Sequence, residues 1–336
     1  MGPVTIRDVA KKANVGVGTV SRVLNDSPSV AESTRERVLE AIKDLDYSPN
    51  PIAQQLSSGR THAIAVTLPF LTYPSFVERL RGVQHALAQS NYQLVLFNAE
   101  TPDHRDRQFE VLTKQTRADG VLFISIPISE DNAKRFIESN TPAVLVDMYH
   151  PQMHRVFIDD KYGGYLATKH LIELGHKTIA FISDYLQTDL GFIATENRFK
   201  GYKKALKEFG IPFDPAYHLE DYHGRAEASR MTSTLLDYED PPTAIFAGSD
   251  TQAIGALDAA RAHGISVPED LSVIGYDNIR DAKYLNLTTI AQPLFESGFE
   301  GARLLLRILK EKPTKVQEIS MDLELIERAT TAPPLS

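Results

Sequence analysis

Apolar residues in positions 1–60 recur at the three- and four-residue spacing that is typical of amphipathic helices. Three helices are predicted, and each turns one set of apolar side chains inward: Ile6, Val9, Ala10 and Ala13; Val20, Val23 and Leu24; and Val38, Leu39, Ile42 and Leu45. A break at residues 14–16 separates the first two helices. Two short helices across such a turn, closed by a third, predict a helix-turn-helix headpiece over residues 1–46.

Polar residues mark the start of two of these helices. Thr5, with Asp8 three positions later, predicts a capping box in which Asp replaces Glu. Ser33 and Glu36 predict a full capping box at the start of the third helix. We therefore expect side chains to stabilise both helix starts.

The outward face of the second helix is where a helix-turn-helix protein contacts DNA bases. Val17, Gly18 and Arg22 are predicted to lie on this face, and an exposed Arg pairs well with a guanine edge. The hydroxyls of Thr19 and Ser21 are predicted to reach phosphates. The same pattern also fits a small three-helix bundle that binds protein or nothing, so the pattern alone leaves both interpretations open.

Residues 47–60 carry the signals of a short, isolated helix. Asn50 is a good N-cap, Pro51 a good first helical residue and Gly59 a good stop. A helix this short is marginal in water and should need a partner to stay folded. Its large apolar residue, Leu56, suits a wedge between base steps in a minor groove. The alternative is an ordinary linker in which Leu56 packs on the next domain.

Beyond Gly59, short apolar runs alternate with long amphipathic segments. The apolar runs are 64–68, 93–97, 121–124, 143–146, 178–182, 244–246 and 271–274. The amphipathic segments include 76–89, 162–174, 196–209, 251–262 and 298–309. Strands separated by helices predict parallel sheets that are covered by helices on both faces. Roughly a dozen elements of each kind exceed one ordinary sheet, so we expect an α/β core of two doubly wound parallel-sheet subdomains.

Ligands of open α/β sheets bind outside the carboxyl ends of the strands. The polar residues predicted there are Ser125, Asp147, Asp250 and Asp277, with Arg198 opening the helix after the strand at 178–182. The nearby aromatic residues are Phe70, Tyr73, Phe76 and Tyr222. Charged side chains can hydrogen-bond the hydroxyls of a ligand, and aromatic side chains can pack on the apolar face of its ring. This combination suits a polyhydroxylated ring. The alternative for any single Asp is that it stabilises the start of the next helix, and this alternative is strongest for Asp250.

Composition sets limits on the class of protein. The chain has 336 residues, of which 42% are hydrophobic and 24% charged, and this favours two or three folded domains. It has no cysteine, which excludes disulfides, thiolate metal sites and a cysteine nucleophile. The net charge of −8 divides into +1 for residues 1–60 and −9 for the rest, so charge does not identify a DNA-binding protein. No secretory signal or membrane-spanning stretch is recognised, so we expect a cytoplasmic protein.

Catalytic signatures are not found in the sequence. There is no Gly-x-Ser-x-Gly elbow, Walker loop or His-Glu-x-x-His zinc motif. His150 and His154 are four residues apart, but Pro151 argues against a helix that would pair them on a metal. We therefore expect no enzymatic activity, no cofactor and no metal.

Four stretches of the first 56 residues resemble the headpiece and hinge of the LacI/GalR family of repressors. They are Val4-Thr-Ile-Arg-Asp-Val-Ala, Gly18-Thr-Val-Ser-Arg-Val-Leu-Asn25, Ser33-Thr-Arg-Glu-Arg-Val and Tyr47-Ser-Pro-Asn-Pro-Ile-Ala-Gln-Gln-Leu56. The resemblance implies a dimer on a pseudo-palindromic operator, with paired hinge helices in the central minor groove. It implies DNA contacts from Thr5, Val17, Gly18, Thr19, Ser21, Arg22, Asn25, Thr34, Asn50, Gln54 and Leu56. Gly16 and Gly18 depart from the family, whose members usually carry contacting side chains there.

The resemblance continues through the core. It rests on 171–181, on Arg198-Phe-Lys-Gly-Tyr202, on 242–246, on Val267-Pro-Glu-Asp-Leu-Ser-Val-Ile-Gly-Tyr-Asp-Asn278 and on Leu287-Thr-Thr-Ile-Ala-Gln-Pro293. It implies a core like that of periplasmic sugar-binding proteins, with chain crossings near 160, 291 and 321. One subdomain would comprise 61–160 and 292–320, and the other 161–291 and 321–336. Arg198 and Asp277 would hydrogen-bond the effector, with Ser125, Asp147 and Gln292 as neighbours.

The function that follows is that of a sequence-specific DNA-binding repressor controlled by a small molecule in the cleft between the subdomains. A sugar is the favoured effector, although 275–293 is also similar to the matching stretch of purine-responsive members of the family. The chain ends in Ala332-Pro-Pro-Leu-Ser without a leucine heptad, so we expect a homodimer. The alternatives are a corepressor-dependent regulator and a pure small-molecule-binding protein.

Overall fold

The computed structural model of the chain describes residues 4–24, 27–48, 59–114 and 117–335. The chain divides into two compact units: residues 1–61, which include the headpiece, and the core at 62–336. The predicted DNA contacts Asn25, Asn50, Gln54 and Leu56, and with them the predicted hinge helix, lie outside the described residues.

The headpiece is formed by three helices around one apolar cluster. They are α1 (Ile6–Lys12), α2 (Val17–Leu24) and α3 (Glu32–Asp44). Val9, Val20 and Val38, one from each helix, are fully buried and meet at the centre of this cluster. Asp8 accepts hydrogen bonds from the backbone N–H and the hydroxyl of Thr5, at 2.9 and 2.7 Å. The helix-turn-helix arrangement and the stabilised start of α1 are therefore confirmed.

Two details of the predicted third helix are wrong. Helix α3 begins at Glu32 after an Ala31 N-cap that makes no side-chain capping bond, so there is no capping box at Ser33. Leu39 is 50% exposed, whereas Ala41 is buried. Because successive helical residues are about 100° apart, a face that holds Val38 and Ala41 turns Leu39 outward.

Twelve strands are found in the described part of the core. They are β1 (Ala63–Leu68), β2 (Gln93–Asn98), β3 (Gly120–Ile124), β4 (Ala143–Val146), β5 (His154–Phe157), β6 (Ile179–Asp184), β7 (His218–Asp221), β8 (Ala244–Ala247), β9 (Ser272–Asp277), β10 (Thr288–Ala291), β11 (Glu318–Ser320) and β12 (Glu324–Ile326). They form two sheets, in the orders β11-β5-β4-β3-β1-β2 and β12-β10-β9-β8-β6-β7. All described pairs are parallel except β10 with β12.

Helices cover both faces of each sheet. They are α4 (Pro74–Leu87), α5 (Pro102–Leu112), α6 (Glu130–Glu138), α7 (Asp160–Glu173), α8 (Ala194–Glu208), α9 (Arg225–Leu236), α10 (Asp250–Ala262), α11 (Arg280–Tyr284) and α12 (Leu294–Glu311). Strand β1 shows the pattern this requires, because Ile64 and Val66 enter one apolar cluster while Ala65 enters another. All six of its residues are buried, as is typical of a central strand in a doubly wound sheet.

The chain passes between the two sheets three times. It leaves the first sheet after β5, returns after β10 to add α12 and β11, and leaves again to add β12. Each subdomain is therefore built from two separate stretches of the chain. All three connections lie between the sheets, so they link the two halves of the cleft.

Helices α4 and α12 are in close contact at two glycine residues, one on each helix. A Cβ atom on Gly82 would lie 1.9 Å from the carbonyl oxygen of Phe295, and one on Gly298 would lie 2.0 Å from the carbonyl oxygen of Arg79. Neither position has room for a side chain unless the backbone of the partner helix moves. This contact fixes the position of Arg79, whose side chain belongs to the cleft described below.

Replacing Gly82 with Ala should therefore lower the free energy of unfolding of the core by about 1–3 kcal/mol, because the added methyl group forces α4 and α12 apart. Urea denaturation followed by circular dichroism measures the change. Gln84→Ala, at an exposed position of the same helix, is the control and should stay within about 0.5 kcal/mol of wild type. Equal stability of Gly82→Ala and wild type would show that the two helices are not held this close.

Candidate functional site

The carboxyl ends of strands from both sheets meet at a small cavity between the subdomains. Its lining residues are Phe70, Tyr73, Ser75, Phe76, Arg79, Ser125, Asp147, Asp160, Asp184, Phe192, Ala194, Thr195, Arg198, His223, Gly248, Ser249, Asp277 and Gln292. The free space inside is about 40 Å³, enough for a few water molecules and far below the several hundred Å³ of a typical ligand pocket. The structure therefore shows the cleft closed on its own side chains.

Three of the lining residues lie at strand ends and have a backbone conformation that costs energy. Ser125, Asp147 and Asp277 have φ values of 53°, 58° and 119°, in the left-handed region. A non-glycine residue there costs on the order of 1 kcal/mol, and such residues cluster at functional sites. The conformation turns each side chain into the cavity at the point where its strand ends.

A chain of polar contacts runs across the first half of the cavity. The guanidinium of Arg79, on α4, forms an ion pair with Asp147 and donates to Oε1 of Gln292 at 2.8 Å. Gln292 in turn donates through Nε2 to Oδ1 of Asp277. Since Asp147 follows the first sheet and Asp277 the second, this chain of contacts links the two subdomains.

Arg198, on α8, organises the other half. It donates from Nε to Asp160 Oδ1 at 2.9 Å and from Nη1 to the carbonyl oxygen of Gly248 at 2.7 Å. Its guanidinium carbon lies 3.8 Å from the centre of the Tyr276 ring, and its Nη1 lies 3.9 Å from Asp277 Oδ1. These contacts compensate a buried charge with a carboxylate, a carbonyl dipole and an aromatic face.

Burial raises the pKa of both strand-end carboxyls above the ordinary value for Asp. For Asp147, the positive charge of Arg79 opposes this rise, and for Asp277 that of Arg198 does so. Each guanidinium therefore favours the ionised form of the carboxylate next to it.

Aromatic side chains from both subdomains form one wall of the cavity. Phe70 stacks on Tyr73 with 4.6 Å between ring centres, and it meets Phe192 edge-on at 6.2 Å. Tyr73 also stacks on His223, at 4.4 Å. Phe70 and Tyr73 follow β1, whereas Phe192 and His223 belong to the second subdomain. The wall is therefore complete only when the cleft is closed.

His223 connects this wall to an acidic side chain. Its Nδ1 lies 2.9 Å from Asp184 Oδ1, which also accepts a hydrogen bond from Gln252. Burial by itself would lower the pKa of His223, but the hydrogen bond to Asp184 and the charges of Asp184 and Asp277 outweigh it and raise the pKa above the ordinary value. A protonated His223 is therefore favoured beside Tyr73.

Eight of the ten side chains predicted to bind the effector line this cavity: Phe70, Tyr73, Phe76, Ser125, Asp147, Arg198, Asp277 and Gln292. The structure does not bring the other two to it. Tyr222 is 73% exposed and lies against Tyr185 instead. Asp250 is fully buried, and its oxygens accept from the Thr289 hydroxyl at 2.6 Å and the Ile279 N–H at 2.8 Å. Asp250 therefore links three segments of the second subdomain.

Sequence reasoning did not select several lining residues: Arg79, Asp160, Asp184, Phe192, Thr195 and His223. Asp184 is the last residue of β6, so the expectation that ligand-binding residues lie at strand ends, which selected the other Asp residues, also applied to it. Arg79 stands at helical spacing between the apolar Phe76 and Val83, which places it on the buried face of α4. A charged residue on an apolar helix face is a signal of a functional site.

In the headpiece, the predicted base-contacting residues of α2 are exposed. Val17 is 42% exposed, and Gly18 and Arg22 are exposed with it. The hydroxyl-bearing residues Thr19, Ser21 and Thr34 are half-buried, and Thr5 is exposed at the start of α1. The face therefore offers one long cation among small side chains.

The described residues contain neither a cluster that could hold a metal ion nor a membrane-spanning helix. Among the described residues, no group of three or more His, Cys, Asp or Glu side chains is placed to hold a metal ion. No helix in the described part of the chain combines the length and the apolar character needed to cross a bilayer.

Comparison with known proteins identifies the family. Residues 5–50 match the model of bacterial regulatory proteins of the lacI family, and 168–331 match a periplasmic binding protein-like domain. Catabolite control protein A of Priestia megaterium is 34% identical over 92% of this chain and 93% of its own length. The chain belongs to the LacI family. The repressor PurR of Haemophilus influenzae is 35% identical to this LacI-family protein over 94% of each chain.

Solved structures agree with this assignment. The Lac repressor dimer bound to operator and the anti-inducer ONPF gives a TM-score of 0.85 at 28% identity, over 98% of this chain and 100% of that one. The complex of the regulator CelR with cellobiose gives 0.71 at 32% identity, over 97% and 99%. This LacI-family chain is therefore a DNA-binding transcriptional repressor with an effector-binding domain, and its two-subdomain α/β fold is confirmed.

The raised pKa of His223 predicts a pH dependence of core stability. The protonated form is favoured in the folded state, so its stabilisation is complete below about pH 6.5, the ordinary value, and is lost as pH rises through the raised pKa. The difference in unfolding free energy between wild type and His223→Gln should shrink over that rise. Urea denaturation between pH 5.5 and 8.5 measures it. In an Asp184→Asn background this decrease with rising pH should be much smaller, because only the charge of Asp277 then opposes the effect of burial on the pKa of His223. Parallel curves with Asp184 present would contradict the assignment.

Proposed function

We propose that this LacI-family protein is a homodimeric, cytoplasmic repressor that binds a pseudo-palindromic operator and is controlled by a sugar in the cleft. The observation that carries the effector class is the cavity itself. Carboxylates and two guanidinium groups face an aromatic wall across a space where strands from both sheets end. Oriented charged groups suit desolvated hydroxyls, and the aromatic wall suits the apolar face of a sugar ring. The complex of CelR with cellobiose, a similar protein, supports the same class.

The DNA-binding part of the proposal rests on the headpiece. Val17 and Arg22 lie exposed on α2, and a recognition helix presents such residues to the major groove. Arg22 is the base-reading residue, because a guanidinium donates two hydrogen bonds to O6 and N7 of guanine. Gly18 carries no side chain to add to this readout. Leu56, outside the described residues, is proposed as the minor-groove wedge that the family resemblance implies.

The coupling between the two sites follows from how the cleft closes. The cavity holds about 40 Å³ when closed, so a sugar enters only after the subdomains separate. Separation breaks the stack of Tyr73 on His223 and the contacts that run from Arg79 to Asp277. A bound ligand then holds the two subdomains at a different degree of closure, and this changes the spacing of the hinge segments in the dimer. A coupling of about 1–3 kcal/mol corresponds to a change of roughly 5- to 150-fold in operator affinity.

Arg22→Ala should weaken specific operator binding about 10- to 100-fold, because a bidentate contact to guanine contributes on the order of 1–3 kcal/mol. Operators selected from a random DNA library, followed by fluorescence anisotropy at fixed salt, measure the effect. Lys43→Ala removes the same charge at the exposed far end of α3 and should cost much less. Equal losses in the two variants would reduce the role of Arg22 to general electrostatic attraction.

Arg198→Ala should abolish the thermal stabilisation that an effector gives to the wild-type protein. A ligand that binds only the folded state adds about 2.7 kcal/mol at a hundred times its Kd, so a melting curve detects it. Lys200→Ala, at an exposed position of the same helix, is the control and should keep the full response. Removing Arg198 also leaves Asp160 buried without its partner. The isosteric Asp147→Asn therefore serves as a second variant: it should weaken the response while the other charged groups of the site remain. A full response in both variants would place the effector elsewhere.

A purine effector is the second candidate, because PurR repressors are among the similar proteins. The same thermal-shift panel separates the two classes when it contains sugars and purine bases. The sign of regulation follows from repeating the operator measurement with the ligand that binds. Weaker operator binding identifies an inducer, and tighter binding identifies a corepressor.

A further inference from the structure

The positive charges in the cleft are already matched by negative ones. Among the described residues that line the cavity, the basic side chains are Arg79, Arg198 and His223. Each lies against one carboxylate of its own: Asp147 for Arg79, Asp160 for Arg198, and Asp184 for His223. Both guanidinium groups are also bonded to neutral oxygens, of Gln292 and Gly248. Every cationic side chain among the described lining residues is therefore already paired with a carboxylate, and none is left unpaired for a bound anion.

A fourth carboxylate gives the cavity lining an excess of negative charge. Asp277 lies at the end of β9, between Gln292, which donates to it, and the guanidinium of Arg198 at 3.9 Å. With Asp147, Asp160 and Asp184 it faces the same small space. Four carboxylates against two permanent cations and one histidine make the lining net negative when the carboxylates are ionised.

The lining does offer hydrogen-bond acceptors to a donor. Oδ2 of Asp147 contacts Nη2 of Arg79, whereas Oδ1 is buried without a hydrogen-bond partner among the described residues, as is Nε of Arg79. Such oxygens accept a hydrogen bond from a hydroxyl group without giving up the ion pair, because a carboxylate has about four lone-pair sites. A buried acceptor without a donor is costly, so a ligand hydroxyl at this position gains its full bond.

We infer that the effector is an uncharged polyhydroxylated molecule, and that the cleft discriminates against the phosphorylated form of the same sugar. This inference rests on the proposed function and names the chemical class within it. A phosphate group needs several donors at once. Nε of Arg79 could supply one bond, but further guanidinium bonds would have to be taken from the Arg79–Asp147 or the Arg198–Asp160 pair. Either exchange leaves a buried carboxylate unpaired beside a dianion. An uncharged ring hydroxyl instead donates to Asp147 and accepts from a guanidinium, so both ion pairs stay in place.

Matched pairs of ligands test the inference on the full chain. The probes are D-ribose and ribose 5-phosphate, D-glucose and glucose 6-phosphate, and D-fructose and fructose 6-phosphate, compared by thermal shift and isothermal titration calorimetry at constant ionic strength. In any pair that binds, the neutral sugar should bind at least 100-fold more tightly than its phosphate ester. Equal or tighter binding of the ester overturns the inference.

Inorganic phosphate provides a test that does not require the right sugar. At 20 mM, and against potassium chloride of the same ionic strength, phosphate should not raise the Tm of the wild-type core. Asp147→Asn frees the guanidinium of Arg79 and should gain a phosphate-dependent rise, which the double variant with Arg79→Gln should lose. A rise in wild type that Arg79→Gln abolishes would mean that the cleft accepts phosphate as it stands, and the inference would be wrong.

Operator binding keeps this inference separate from the proposed function. If a phosphate ester binds in the cleft and changes operator affinity, effector control holds and the uncharged class is wrong. If a neutral sugar binds with the expected preference but leaves operator affinity unchanged, the ligand class holds and the coupling to DNA is wrong.

Discussion

Two guanidinium groups, those of Arg79 and Arg198, are removed from water at the centre of the cleft. The desolvation of each amounts to several kcal/mol and is offset only if a carboxylate and further oxygens are held in place around it. Asp147 and Gln292 do this for Arg79, and Asp160 and the carbonyl of Gly248 do it for Arg198. These partners come from different strand ends and helix starts, so the geometry of both sheets must be right before either charge is stable.

Local features of the fold follow from that requirement. The left-handed backbone at Ser125, Asp147 and Asp277 turns strand-end side chains towards the charges, and the surrounding bonds offset the strain. The glycine contact between α4 and α12 sets the depth at which Arg79 enters the cleft. Charge pairing, backbone strain and helix packing are therefore parts of one arrangement. A change in any of them is expected to alter how the subdomains close on each other.

Sequence patterns predicted buried apolar strands and local features better than exposed strands or a site that is assembled from distant parts of the chain. Central strands such as β1 and β3 were predicted because a strand covered on both faces is a continuous apolar run. The predicted runs did not include β5, β7, β10, β11 and β12. The edge strands β7, β11 and β12 are half-exposed and carry no such run, whereas β5 and β10 are interior strands whose short stretches are interrupted by polar residues such as Arg155 and Thr288. At the site, the strand-end rule found Asp147 and Asp277. It missed Arg79 and His223, which reach the cavity from inside a helix and from a loop, and only tertiary packing reveals this.

The threefold passage of the chain between the sheets has a consequence for synthesis. β5 pairs with β11, with Arg155 opposite Glu318, so the first subdomain lacks α12 and an edge strand until about residue 320 has been made. While the ribosome makes the second subdomain, the apolar face that α12 will cover on β3 and β4 stays open. Contacts between residues so far apart in sequence form slowly. The nascent first subdomain therefore exposes an apolar surface while the stretch between β5 and the end of α12 is made, and this is the interval in which chaperone binding or aggregation competes with folding.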